Sequence, residues 1–182
     1  MISDLVERAQ RGDHEAFDAL GTAAYHRLYA IARRILRDGY AAEDAVQETL
    51  VGAWRNIRSL RDSERFDAWL HRLLVRACGD EVRRSRRRPI ALPPLFDQPS
   101  STDDFATLVD QDEIERAFLA LSIEHRAVLV LTHYVGLPAP EVAEILGIPT
   151  GTVHSRLHYG ARAMRDALTL PGASLPSPEH GR

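Results

Sequence analysis

Between Thr150 and Tyr159 the chain gathers Thr150, Thr152, His154, Ser155, Arg156, His158 and Tyr159. These hydrogen-bonding groups have the reach and type that contact phosphate oxygens and base edges. They are interleaved with Val153, Leu157, Ala161, Met164 and Leu168 at helical spacing, which predicts a helix over 150–169 with its polar side outward. Just upstream, Val142, Ile145 and Leu146 share one face of a second predicted helix over 139–146. Ala143 is small enough there for a close approach, and Gly147 stands where a helix-ending residue of positive φ is wanted. Ile148 fills the turn, and Thr150 is read as the N-cap of the following helix. A helix, a tight turn and a second helix with polar groups at its N-terminal end can lie in a DNA major groove. An ordinary helical hairpin has the same apolar pattern and stays open as the plainer reading.

A second set of chemically capable residues lies in RFDAWLHRLLVRACGDEVRRSRRR, residues 65–88. Phe66, Leu70, Leu73, Leu74 and Ala77 form an apolar stripe, which leaves Arg65, Trp69, Arg72, Arg76 and Arg83 on the exposed or half-exposed flank. Guanidinium groups neutralise phosphates, and an aromatic platform can stack an unpaired base for roughly 1–3 kcal/mol, so this flank suits single-stranded DNA. Trp69 as plain core is the competing reading. The run Arg83, Arg84, Arg86, Arg87, Arg88 exceeds what a helix C-terminus needs to offset its dipole, which points to a phosphate-contacting patch. The third set is AAEDAVQETLVGAWRNI, residues 41–57. There Ala45, Leu50, Ala53 and Ile57, or Val46, Leu50 and Trp54, can face a core, with Asp44, Gln47, Glu48 and Arg55 outward. That face is either solvated or a docking surface for a protein partner.

The elements that must position these groups are all helical, at about 3–10, 13–37, 41–57, 63–86, 112–120, 124–135, 139–146 and 150–169. The expected fold is all-α: two small helical domains joined by an extended acidic linker, the C-terminal one containing a helix-turn-helix. Domains are expected over 1–90 and 113–170, with an acidic Pro/Ser linker over 91–112 and a disordered tail over 171–182. The linker is marked by Pro89, Pro93, Pro94 and Pro99 and by five Asp with no basic residue over 89–112. A formal charge of −3 hides an uneven distribution, because residues 16–90 hold fifteen Arg against ten acids, whereas 113–170 carry a net −1. The chain contains no Lys. One cysteine, Cys78, excludes an internal disulfide and a Cys-rich zinc site. No apolar run approaches the ~18–20 residues of a membrane span, and the polar, acidic start does not fit a secretory leader, so a bacterial cytoplasm is expected. No HExxH pair, nucleophile elbow or Gly-rich phosphate loop occurs. Accordingly no catalytic residue, metal or cofactor is expected.

In order and spacing these pieces resemble the sigma-70 family of bacterial transcription initiation factors, in its compact two-domain extracytoplasmic-function type. AEDAVQETLVGAW is similar to that family's core-polymerase-binding helix, and FDAWLHRLLVRACGDEVRR to its promoter −10 helix. LSIEHRAVLVLTHYVGLPAPEVAEILGIPTGTVHSRLHYGARAMRDAL resembles its −35 domain. The likeness spans roughly residues 1–169. It implies that Asp44, Gln47, Glu48 and Trp54 meet the clamp coiled coil of the polymerase largest subunit, with the flap region as a further contact. It also implies that the loop 56–64 with Arg65 and Trp69 cradles an everted −10 base, and that Arg72, Arg76, Arg83 and Arg84 follow the strand and phosphates. His154, Ser155, Arg156 and Tyr159 would enter the −35 major groove, with Thr150 and Thr152 near phosphates. The implied partners are core RNA polymerase, promoter DNA and an anti-sigma factor, without membrane insertion. His154 and Tyr159 depart from the basic residues many relatives carry, which implies weaker phosphate attraction at −35. A stand-alone helix-turn-helix regulator acting without polymerase is the alternative, expected to dimerise on a palindrome.

Overall fold

A computed structural model describes residues 2–87, 114 and 116–169, and every element in that range is helical. The expected linker over 91–112 and tail over 171–182 lie outside the described residues.

α1 (Ile2–Gln10) turns at Gly12, φ +98°, into α2 (His14–Leu36). Asp13 caps α2 by accepting from the Ala16 amide at 3.1 Å, and Arg8 pairs with the same carboxylate at 2.7 Å. α2 ends at Arg37, φ 60°, whose amide returns to the Arg33 carbonyl. Asp38 caps α3 (Gly39–Asn56) by accepting from Ala41. Two short 3-10 turns, Ile57–Ser59 and Ser63–Arg65, then lead into α4 (Phe66–Arg87). Leu28, Ile31, Ile35, Val46, Leu70 and Leu74 interlock as the core of this first module. Cys78 is fully buried within it, and that burial pushes its thiol up to about 12.

The second module comprises a helical segment at 116–119, α5 (Ile123–Leu129), a π-helical turn over Val130–Tyr134, α6 (Ala139–Leu146) and α7 (Thr150–Thr169). Ser122 caps α5 through the His125 amide. Gly147, φ 66°, ends α6 with its amide on Ala143 and Glu144, as its type and position predict. Thr150, however, is not the cap. The Pro149 carbonyl accepts from Thr152 at 2.9 Å and Val153 at 3.2 Å, so Pro149 caps α7 and Thr150 is its first helical residue. The expected apolar stripe of α7 also shortens. Val153 is fully buried and Leu157 half-buried, but Ala161 and Leu168 are exposed, because the buried turn passes through Gly160 instead.

α5 is covered on both sides. Six consecutive residues, Arg126 to Leu131, are buried. Ala127 and Val130 belong to the core of the first module, whereas Val128 and Leu131 join Val142, Ile145 and Val153 in the core of the second. Such all-round burial requires apolar neighbours on every face. Ala68 and Val75 of α4 pack against the second core, and the Arg34 guanidinium lies 3.6 Å over the Tyr134 ring. The two helical domains are therefore docked on each other, not held apart as two separate bodies.

Candidate docking and nucleic-acid surfaces

The outward face of α7 begins one turn into the helix. His154, Ser155, His158 and Tyr159 are exposed, Tyr159 at 60%, while Thr150, Thr152 and Arg156 are half-buried. The Ser155 hydroxyl donates to the Thr152 carbonyl at 3.0 Å, which fixes it against its own helix. The His158 and Tyr159 rings meet edge to face at 5.7 Å. Burial and then the nearby Arg156 charge hold the His125 imidazole below its ordinary basicity, which places the Arg156 charge within reach of α5. Gly160 lets α7 approach α5 closely, since a Cβ there would lie 3.2 Å from Leu129 Cδ1. Of the seven polar groups named from sequence, four are exposed and three half-buried on a helix braced by α5 and α6.

Arg65, at the end of the 3-10 turn that leads into α4, and Arg72, Arg76, Arg83 and Arg84 on α4 are all exposed. Trp69 is half-buried against the first core, its ring 6.1 Å from that of Phe66, so it is partly the core residue that the competing reading expected. Several of the arginines are engaged. Arg65 pairs with the Glu144 carboxylate, and Arg72 donates to the Glu144 carbonyl at 2.5 Å. Arg83 pairs with Asp80 at 2.5 Å, and Arg84 bridges Glu81 at 2.8 Å and Glu48 at 3.0 Å. The Glu48 hydrogen bond and then Glu81 favour the charged form of Arg84 further still. Arg86 and Arg87 fall in the last turn of α4, but their side chains, like Arg88 as a whole, lie outside the described residues.

On α3, Asp44, Gln47 and Glu48 are exposed, as their spacing predicts. Trp54 is half-buried, its ring tilted against that of His14 at 4.4 Å and that of Phe17 at 5.0 Å. Beside it runs an open groove of about 780 Å³ between α2 and α3, walled by Phe17, Gly21, Tyr25, Leu50, Val51 and Trp54, with Asp18, Thr22, His26 and Arg55 at its rim. Phe17, Tyr25 and Val51 were not expected from sequence. The available signal was Val51, apolar and 48% exposed on a helix face otherwise carrying Gln47, Glu48 and Arg55. Among the described residues no group of three or more His, Cys, Asp or Glu could hold a metal ion, and no helix is long and apolar enough to cross a membrane.

Two family models match the chain in succession: Sigma-70 region 2 over residues 22–88 and Sigma-70, region 4 over residues 111–164. The ECF RNA polymerase sigma factor SigM of Mycobacterium tuberculosis is 34% identical over 154 residues, covering 85% of this chain and 78% of its own length. The solved structure of CnrH in complex with the cytosolic domain of CnrY superposes with a TM-score of 0.67 at 25% identity, covering 92% of this chain and 97% of that one. The sigma factor RpoE of Bartonella quintana, solved with the anti-sigma factor NepR, shares the fold with a TM-score of 0.61 at 24% identity, covering 85% and 97%.

Proposed function

The chain belongs to the extracytoplasmic-function branch of the sigma-70 family, and from that premise we propose how its surfaces divide the work of an RNA polymerase sigma factor. A factor of this family binds core enzyme, directs it to promoters through the −35 and −10 elements and supports promoter melting. In this chain the α2–α3 groove, with Asp44, Gln47, Glu48 and Trp54 along its α3 side, docks on the clamp coiled coil of the polymerase largest subunit. The helix-turn-helix of α6 and α7 reads the −35 major groove through His154, Ser155, Arg156 and Tyr159, with Thr150 and Thr152 near phosphates. On α4 and the turn leading into it, Arg65, Trp69, Arg72, Arg76, Arg83 and Arg84 take the melted −10 strand and its phosphates. Residues 1–90 and 113–170 are the two functional domains, joined in sequence by the acidic stretch 91–112, and the flap region is a further contact of the factor on the polymerase. The factor is non-catalytic, works in the cytoplasm and is restrained by an anti-sigma factor, as RpoE of Bartonella quintana is seen in complex with one.

The observation that carries this reading is the braced polar face of α7, set behind a module whose α4 and the turn leading into it carry five exposed arginines. A regulator acting alone would leave those arginines and the α2–α3 groove without a role. Run-off transcription with purified core polymerase on a genomic fragment library tests it. The full chain should direct initiation to one promoter class, and Arg156→Ala should weaken use of that class by about 1–3 kcal/mol, roughly five- to 150-fold, if Arg156 reads base edges. Start sites that do not change when the chain is added would overturn the proposal.

A further inference from the structure

We propose that the free chain is closed by its own C-terminal module, with Glu144 occupying Arg65 and Arg72 until the −10 strand replaces it. The inference rests on the assignment of those two arginines to the −10 strand. Arg65, Ala68, Arg72 and Val75 fall at spacings of three and four and so form one stripe that starts at the turn before α4 and runs along that helix. That stripe faces α6 and its surroundings. Ala68 and Val75 pack against the second core, Arg65 pairs with the Glu144 carboxylate, and Arg72 donates to the Glu144 carbonyl at 2.5 Å. A single residue thus offers carboxylate and carbonyl oxygens to two guanidinium groups, the same acceptor chemistry that phosphates and base edges offer. Strand and α6 cannot hold this stripe together.

The closure has an apolar part and an exchangeable part. Ala127 of α5 and Val130 of the π-helical turn after it are buried in the first core, and Tyr134 lies under Arg34, so Glu144 shares the joining of the modules with these contacts. The Arg65 and Glu144 side chains remain 51% and 47% exposed, which keeps their ion pair weak, screened by salt and easily traded for another acceptor. A closed majority lowers the apparent affinity for single-stranded DNA by the fraction of open molecules. Loosening one exposed pair should therefore raise that affinity by about two- to fivefold.

The test uses the full chain, a fluorescein-labelled (dT)12 oligonucleotide read by anisotropy, and small-angle X-ray scattering. Glu144→Gln should bind the oligonucleotide about two- to fivefold more tightly and show a larger radius of gyration. Glu141→Gln makes the same charge change at an exposed position one turn away on α6 and should do neither. If the two variants match each other in affinity and radius, or if Glu144→Gln expands without binding more tightly, the proposal is overturned. Arg65→Ala in the Glu144→Gln background separates the two levels. If that change fails to weaken binding, the −10 assignment itself has failed. If it weakens binding while Glu144→Gln alone binds no better than wild type, only the latch has.

Discussion

Replacing Val51 by Asp sets a carboxylate at the lip of the α2–α3 groove without touching either core. Val51 is 48% exposed, and its neighbour Gly52 has open space where a side chain would begin. The folded chain should tolerate the change to within about 0.5 kcal/mol, as exposed positions away from special features do. Docking is different. Full burial of a Val side chain contributes about 1.5–3 kcal/mol, and here roughly half remains to be covered by a partner, so about 1 kcal/mol of docking energy is lost. Desolvating an unpaired carboxylate adds about 1–3 kcal/mol. Together they predict a loss of about 2–4 kcal/mol in core-polymerase affinity, roughly thirty- to several-hundredfold. Competition against labelled wild-type chain for purified core enzyme measures this, and thermal melting by circular dichroism checks the fold. A Val51→Asp chain that melts normally and competes as well as wild type would refute the groove as the docking surface.

Gly160→Val should destabilise the second module by about 1–3 kcal/mol, because a Cβ already sits 3.2 Å from Leu129 Cδ1 and two further methyls must be housed. Thermal melting should show the loss, and an unchanged or raised midpoint would mean that α5 and α7 are less closely packed than described. His71 gives a pH signature. Burial, then the Arg27 charge, lowers its folded-state basicity against a smaller opposing effect of Asp67, while the unfolded ring titrates near 6.5. Its contribution to stability is therefore complete above about pH 6.5 and is lost as pH falls toward the lower folded value. Neither ring nitrogen has a hydrogen-bond partner among the described residues, so His71→Leu should fold and should flatten the acid limb. Urea midpoints between pH 5 and 8 compare the two chains, and identical slopes would remove His71 as the cause.

Local chemistry made the helices legible. Asp13, Asp38 and Gly147 are side-chain caps or left-handed stops, and each ends or begins an element within a residue or two of the expected place. Thr150 misled because a preceding carbonyl, that of Pro149, opens α7 and leaves the hydroxyl residue inside it. Ala161 and Leu168 fit the helical period, but α5 meets Gly160 beside Ala161 and Leu168 is left exposed, because a period reports amphipathicity without saying which residue the partner meets or how far it extends. The docking of the modules had a trace in the unbroken apolar run Ala127–Leu131, which a helix buried on one side does not need. The pairing of Arg65 with Glu144 had none, since it links residues 79 apart and no local pattern encodes it. On the candidate surfaces, charge and spacing identified the polar residues, whereas the groove required two helices to be brought side by side before Phe17, Tyr25 and Val51 could be seen to share a wall.

Cys78 has a consequence for how such a factor can be controlled. Thiol chemistry proceeds through the thiolate, and a fully buried sulfur held near 12 offers almost none at physiological pH. With no second cysteine in the sequence, the chain cannot form an internal disulfide in response to oxidation. A disulfide-based signal would have to arrive through some other molecule. The same inertness has a practical use, because a cysteine introduced at the surface would be the one position to accept a maleimide dye.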